Sequence, residues 1–397
     1  MIKVLRIINR FNLGGPTYNA AYLTKYLPSE YETLLVGGIA EKHETDSLHI
    51  VKSLNIEPII LPEMSRSIHP LNDWKAYFKL RKIIKQFRPD IVHTHASKAG
   101  LLGRLAAIHE NVPVIVHTFH GHIFHSYFHP LVTKTFLNIE RYLAKRTSAI
   151  VAISELQKRE LSQVFKVANE NKFEVIPLGL DLRKFAEKKK EKRSKFRSQH
   201  NLPENYIVIG IVGRLVPIKN HYLLIDAIQQ IKSKINRSFE LMIVGDGSER
   251  ENLIKYVQEK NLSYRTNPLE NPADVYFTSW IREMDGAYAA MDIVALSSKN
   301  EGTPVSLLEA QTAGKFVVST NVGGVKDIVH PSAGIIVEDF NVESFANALL
   351  KAIESFERVN YQIENIVSPK IIEQYSYTRL VENMDNLYKK LINQSKR

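Results

Sequence analysis

Short apolar runs, each about long enough for one strand, alternate along this chain with longer stretches of helical period, and the whole alternation restarts once. That pattern is the signature of α/β units stacked on a parallel sheet. The first half offers strands at Val4–Asn9, Thr33–Gly38, Pro58–Leu61, Ile91–His95, Pro113–Thr118, Ala149–Ile153 and Glu174–Pro177. The second offers Tyr206–Gly213, Glu240–Val244, Val275–Thr278, Ile293–Ser297, Phe316–Thr320 and Gly334–Val337. Between strands, residues such as Trp74, Tyr77, Leu80, Ile84 and Phe87 recur at spacings of three and four, the period of a helix with one apolar face. A basic stretch from Arg183 to Asn205 carries no apolar run and is the expected junction, since 397 residues are comfortable for two domains. Expected domains are therefore 1–190 and 200–372. The tail 373–397 bears a helical stripe of Tyr377, Leu380, Met384, Leu387, Tyr388 and Leu391 that needs a partner surface, and is expected to pack across the junction.

Composition narrows the class further. No run of 18 apolar residues is present, so no spanning helix is expected, and Met1–Ile8 reads as a strand rather than a signal peptide. Cysteine is absent, which removes disulfides and thiolate ligands and is in keeping with a cytoplasmic protein. The formal net charge of +11 calls for an anionic partner. No zinc-finger, RNP-type or KH-type signature accompanies the cations, so membrane headgroups are favoured and nucleic acid is not expected. Lys75, Lys79, Arg81, Lys82, Lys85 and Arg88 lie beside Trp74, Tyr77 and Phe78, a mixture suited to peripheral binding at an anionic membrane surface.

The most informative stretch for chemistry is Asn300-Glu301-Gly302-Thr303-Pro304-Val305-Ser306-Leu307-Leu308-Glu309-Ala310. Pro304 suits a helix start, Gly302 permits close approach, and the free amides of the first turn, at Val305 and Ser306, offer an anion site. Glu301 is expected in the loop before that helix and Glu309 along it. A diphosphate flanked by hydroxyl-rich rings, the chemistry of a nucleotide sugar, would suit amides and carboxylates so arranged. The bland alternative is a glutamate complementing a helix dipole and another on the surface.

Other turns add charge and close approach. Gly213-Arg214 ends a strand and Lys219 follows five residues later, bringing two cations to the sheet edge where ligands sit in open α/β folds. Val244-Gly245-Asp246-Gly247 is a second tight turn at that edge, with Asp246 read as a cap for the next helix. Gly323-Gly324 makes a third, and Gly14-Gly15-Pro16 opens the first helix in the same manner. Since Gly14-Gly15 is not part of a G-x-G-x-x-G, dinucleotide binding is disfavoured. His93 and His95 end one strand; His117, His120, His122, His125 and His129 crowd the next strand and its loop. Metal is not expected, because no carboxylate or Cys accompanies them locally. His120 is the histidine best placed to hydrogen-bond a sugar hydroxyl. The chain has no Asp-x-Asp, no G-x-x-x-x-G-K-[ST] and no G-x-S-x-G, which argues against a carboxylate-held divalent ion, a P-loop NTPase and a serine hydrolase.

Taken in order, these pieces resemble the family 4 retaining glycosyltransferases of the GT-B fold. The resemblance runs through the Gly14-Gly15 loop, HTHASKAGLLGR (His93 to Arg104), HTFHG (His117 to Gly121), VIPLG (Val175 to Gly179), GRLVPIKN (Gly213 to Asn220), VGDGSER (Val244 to Arg250), EGTPVSLLEA (Glu301 to Ala310) and NVGGVKDIV (Asn321 to Val329). It implies two Rossmann-like domains with parallel sheets facing a cleft, the C-terminal helix crossing back to the N-terminal, acceptor-binding domain. It also implies a nucleotide-sugar donor, UDP before GDP, held without metal or other cofactor. Arg214 and Lys219 would hold the diphosphate, with Gly14, Gly15, Gly245, Pro304, Val305 and Ser306 around it. Glu309 would hold the ribose, Glu301 would contact the transferred sugar near its reacting centre, and His120 would hydrogen-bond that sugar. The HTHASKAGLLGR form resembles bacterial enzymes of surface-polysaccharide assembly, whose acceptors are glycans or polyprenyl-diphosphate-linked sugars. UDP-N-acetylhexosamine or UDP-hexose is the expected donor, and the inner face of the cell membrane the expected place. Two other classes compete: a sugar-nucleotide epimerase of the same architecture, and a non-catalytic basic protein that binds membrane or nucleic acid.

Overall fold

The computed structural model describes residues 1–397 other than 13, 41–45, 66, 122–129, 236, 360–368 and 397. The chain forms two compact units, Met1–Leu180 with Gln374–Arg397, and Asp181–Glu373. In the first unit the strands are β1 (Ile2–Phe11), β2 (Tyr31–Ile39), β3 (Ile59–Ile60), β4 (Ile91–His95), β5 (Val114–Phe119), β6 (Ala149–Ala152) and β7 (Phe173–Val175). They order as β3-β2-β1-β4-β5-β6-β7. In the second unit they are β8 (Ile207–Val212), β9 (Phe239–Val244), β10 (Tyr264–Arg265), β11 (Val275–Ser279), β12 (Ile293–Leu296), β13 (Phe316–Thr320) and β14 (Gly334–Val337), in the order β10-β11-β9-β8-β12-β13-β14. The strand pairings within each sheet are parallel. Each unit is thus a doubly wound, Rossmann-like sheet whose strand order reverses once, at β1/β4 and at β8/β12.

Burial on both faces explains why the strands read as continuous apolar runs. Val4 packs with Ile91 and Val116 on one face of the first sheet, while Leu5 packs with Val92 and Ile115 on the other. The helix Tyr377–Ser395 completes the first of these faces: Leu380, Met384, Leu387, Tyr388 and Leu391 join Val4, Leu23 and Ile91 in one cluster. The chain enters that helix through a short parallel bridge of Leu180 to Ser376, whose hydroxyl caps it by accepting from the Arg379 amide at 3.1 Å.

Two features differ from expectation. The units divide at Leu180 and Asp181, ahead of the basic stretch, and that stretch is a helix, Lys189–Gln199, built into the second unit. Its fastening is polar. Arg197 is buried and donates from Nη2 to Asp292 Oδ2 at 2.8 Å and from Nε to the Ala290 carbonyl at 3.0 Å. Arg193 reaches Asp292 Oδ1 at 2.8 Å, and Asp292 also accepts from the Val208 amide at 2.8 Å, tying the helix to the core strand β8. A stretch so rich in charge conceals its own buried face. β10 was likewise invisible to hydropathy. It consists of Tyr264 and Arg265, and Arg265 is anchored by a two-pronged ion pair with buried Glu240 at 2.7 and 2.8 Å.

Asp292 is the buried carboxylate that both arginines reach at 2.8 Å, so truncating it leaves the buried Arg197 guanidinium without its near counter-charge. Asp292→Ala is expected to destabilise the second unit by about 3–5 kcal/mol, the cost of breaking a buried pair. Urea unfolding read by circular dichroism checks this, and a change under 1 kcal/mol would contradict it.

Candidate active site

In the second unit the sheet order reverses between β8 and β12, and backbone hydrogen bonds clasp the turns that leave these strands. The Lys299 amide donates to the Ile218 carbonyl at 2.8 Å, and Ser297 Oγ donates to the Lys219 carbonyl at 3.0 Å. This clasp presents Lys219 to Glu301: Nζ donates to Oε1 at 2.5 Å, with both side chains largely buried. Ser298 Oγ donates to the same carboxylate oxygen at 2.6 Å. Arg214 sits in the same turn as Lys219, exposed, and its guanidinium meets no partner among the described residues. A cation left unneutralised beside a paired one at the carboxyl edge of a sheet is an arrangement suited to an anion.

Two glycines are required by the close stacking of these turns. A Cβ on Gly245 would meet the Gly213 carbonyl oxygen at 1.9 Å, and one on Gly323 would meet the Glu301 carbonyl oxygen at 1.9 Å. The Gly324 amide donates to the Gly302 carbonyl at 2.8 Å, so the turn after β13 buttresses the loop that carries Glu301. Gly245 gives its own amide to the Ser279 carbonyl at 3.0 Å. Asp246 does not cap a helix. Its carboxylate accepts from Gly247 N at 2.8 Å and from Ser279 Oγ at 2.7 Å, which spends both oxygens inside the turn, while the next helix starts at Arg250 after Glu249.

Pro304 is the residue just before the helix Val305–Thr312, so Val305 and Ser306 supply first-turn amides that have no partner within the helix. Glu309 lies further along, half-buried, beside Tyr288 and Lys184. Burial pushes its carboxyl up to about 7, with the Tyr288 hydroxyl and Lys184 pulling the other way. Thr303 Oγ1 is buried with no hydrogen-bond partner among the described residues. Sequence reading missed Ser298, Tyr288 and Lys184. Ser298 lies in the turn that carries Glu301; helix Arg183–Ala186, which brings Lys184, packs against Val305–Thr312, and helix Met284–Ala290, which brings Tyr288, packs against Arg183–Ala186.

The first unit holds the other candidates. Gly14 precedes the helix Gly15–Tyr26, its carbonyl accepting from the Thr17 amide at 3.2 Å. His93 and His95 end β4, and His117 lies in β5, all three fully buried. His120 follows β5, half-buried, with Nε2 at 2.9 Å from His95 Nδ1. Burial pushes its imidazole down to about 3, so it is neutral at physiological pH. His122, His125 and His129 lie outside the described residues.

Family matches and fold together define a glycosyltransferase of two Rossmann-like units. Residues 13–184 match the model of Glycosyltransferase Family 4 and residues 192–367 that of Glycosyl transferases group 1. The chain belongs to the family 4 glycosyltransferases, a retaining family of GT-B fold. It is 30% identical over 342 residues to the UDP-Gal:alpha-D-GlcNAc-diphosphoundecaprenol alpha-1,3-galactosyltransferase of Escherichia coli, covering 84% of each chain. Similarity to the capsular polysaccharide biosynthesis glycosyltransferase CapM of Staphylococcus aureus is 27% over 342 residues, 84% of this chain and 85% of that one. Among solved structures, Anabaena HepE in complex with UDP superimposes with a TM-score of 0.78 at 20% identity, over 98% of this chain and 100% of that one. The E. coli and S. aureus relatives are transferases, which leaves the epimerase and the non-catalytic binding protein without support.

The raised carboxyl of Glu309 has a consequence for stability. An acid whose folded value lies above its unfolded one, here about 7 against 4.5, is penalised as the pH rises through that window. Glu309→Gln removes the penalty. The variant is expected to be more stable than wild type at pH 8, on the order of 1–3 kcal/mol, and equal to it at pH 4. Thermal unfolding across that range reads the difference.

Proposed function

We propose that the enzyme transfers a sugar from a UDP-hexose or UDP-N-acetylhexosamine to a polyprenyl-diphosphate-linked or other glycan acceptor in surface-polysaccharide synthesis. The reading is carried by the Lys219–Glu301 pair at the strand-order reversal of the second unit, with unpaired Arg214 in the same turn. The named donor and lipid-linked acceptor of the E. coli relative support the substrate class.

In this proposal the second unit is the nucleotide-sugar domain and the first takes the acceptor. Arg214 and Lys219, with the first-turn amides of Val305 and Ser306 after Pro304, neutralise the diphosphate as it leaves, which is electrostatic catalysis. Gly14 and Gly15 leave room for the diphosphate to approach the backbone, and Gly245 lets its turn stack closely on Gly213. Glu309 accepts from the ribose hydroxyls. Glu301 faces the electron-poor anomeric carbon, and neutral His120 hydrogen-bonds a hydroxyl of the transferred sugar. The C1–O bond to the diphosphate breaks as the acceptor oxygen bonds C1 on the same face, and the acceptor's proton passes to a diphosphate oxygen. No side chain forms a covalent intermediate, and turnover needs no divalent ion, so excess EDTA is expected to leave the rate unchanged.

A screen of UDP release over UDP-galactose, UDP-glucose and the two UDP-N-acetylhexosamines tests the reading; release from none of them would sink it. Lys219→Ala is expected to lower turnover by about 10²–10³-fold in a folded protein. An unchanged rate would remove Lys219 from the site.

Association with the inner membrane face is part of the same proposal. No helix among the described residues is long and apolar enough to cross a membrane. On the helix Pro70–Phe87, however, Leu71 and Trp74 are 69% and 64% exposed, and Phe78 stacks edge-on against Trp74 at 4.7 Å. Lys75 and Lys82 are exposed on the same helix and Arg88 at its end, whereas Arg81 is drawn to Glu110 at 2.6 Å and Lys79 to Glu63. Aromatic wedges with flanking cations suit an anionic lipid surface. Flotation with phosphatidylglycerol vesicles is expected to retain wild type and release Trp74→Ala/Phe78→Ala; equal flotation on neutral vesicles would contradict the electrostatic part.

A further inference from the structure

Two adjacent serines follow β12, and each holds one member of the Lys219–Glu301 pair. Both are fully buried. Ser297 Oγ fixes the backbone of Lys219 through its carbonyl, whereas Ser298 Oγ goes straight to the carboxylate, donating to Glu301 Oε1 at 2.6 Å. Lys219 Nζ donates to the same oxygen at 2.5 Å. Oε2 receives neither, and meets no other partner among the described residues. The Glu301 side chain keeps 11% of its surface open, and Oε2 is not one of the buried polar atoms left without a partner, so it faces solvent.

We propose that Ser298 is a positioning residue for the transfer step: with Lys219 it occupies Oε1 of Glu301 and so turns Oε2 alone toward the transferred sugar. This rests on the assignment of Glu301 to that sugar made above. The last torsion of a glutamate is broad and two-fold, so a single donor fixes a distance but lets the carboxylate plane swing. Lys219 is such a donor, a compact ammonium on a flexible stem that can follow the carboxylate as it turns. Ser298 cannot follow. Its carbonyl accepts from Thr320 Oγ1 on β13 at 2.7 Å, and its side chain is one bond long beyond the Cβ. A second donor held that firmly removes the freedom the first one leaves.

The bond is not how buried hydroxyls nearby are satisfied. Ser319 gives its proton to the Thr320 carbonyl at 2.9 Å and Thr312 gives its own to the Leu308 carbonyl at 2.7 Å, both on local backbone. Ser298 spends its proton on a side chain instead, and an ionised carboxylate can only accept, so the direction of the bond is fixed. Both bonds to Oε1 are of the short, charge-assisted kind. The loop is braced on its far side as well, where the Gly302 carbonyl accepts from the Gly324 amide at 2.8 Å. Glu301 is thus held before substrate arrives, with one oxygen committed to its partners and the other free to accept.

The test compares turnover with UDP affinity in full-length variants whose folding is checked by thermal unfolding. Turnover is UDP release from the donor selected by the screen above, and UDP affinity is read by calorimetry. Ser298→Ala is expected to lower kcat about tenfold or more, with donor KM and UDP affinity within about twofold of wild type. Ser298→Cys keeps the volume but offers only a weak donor, and is expected to be as slow as Ser298→Ala. In a Glu301→Gln background, Ser298→Ala is expected to change kcat by less than about twofold, since the group it positions is already gone. An unchanged kcat in Ser298→Ala, a wild-type rate in Ser298→Cys, or a loss of UDP affinity that matches the loss of rate overturns the proposal. So does an undiminished effect of Ser298→Ala beside Glu301→Gln. Should Ser298→Ala not fold, Ser298→Cys decides; should Glu301→Gln be too slow to measure, the single variants decide. Failure of the underlying assignment looks different: Glu301→Gln would itself keep the wild-type kcat.

Discussion

The clasp between the turns leaving β8 and β12 is the constraint on which the proposed donor site depends. Two strands far apart in the chain lie side by side, and the Lys299 amide and the Ser297 hydroxyl bind the second turn onto the first. Lys219 and Glu301 are 82 residues apart in sequence, yet this clasp leaves their side chains no other partner as near. Their pairing in turn keeps a cation and a carboxylate desolvated together, at far lower cost than either alone. Gly245 and Gly323 serve the same geometry, since a side chain at either would push one turn off the next.

The first unit solves a different problem. Its β4 and β5 edge carries imidazoles where most sheets carry aliphatic side chains, and it keeps them neutral by burial and by the nearby Arg6. Neutral rings can be hydrogen-bonded one by one, and Thr94, Thr118 and Tyr388 do most of that work. The orphan nitrogens that remain are on His95, His117 and His120, so the unsatisfied polarity gathers at the carboxyl edge of the sheet. In a doubly wound fold that is the edge where ligands are met.

Much of the architecture could be read in advance because parallel strands buried on both faces are nearly pure apolar runs. β10 escaped that reading because Arg265 is held by an ion pair rather than by hydropathy, and the helix Lys189–Gln199 escaped it because Arg197 is buried on Asp292. Asp246 was misread for a related reason. An aspartate after a strand is a fair helix cap by type, but Ser279, brought beside it by the pairing of β11 with β9, takes its second oxygen.

The placement of Glu301 in a loop and Glu309 on a helix was legible, since Gly302 and Pro304 are local signals that act through the backbone of their own neighbours. Apart from Ser298, a near neighbour of Glu301 in the same turn, the groups those carboxylates meet were not, because Lys219, Tyr288 and Lys184 arrive by sheet order and helix packing. Likewise the histidines around β5 could be counted from the sequence, while only the register of β4 against β5 selects His95 and His120 as the two that share a hydrogen bond. Local chemistry is written in the order of residues. Electrostatic partnership is decided by distance in space, and that distance exists only once the sheets have formed.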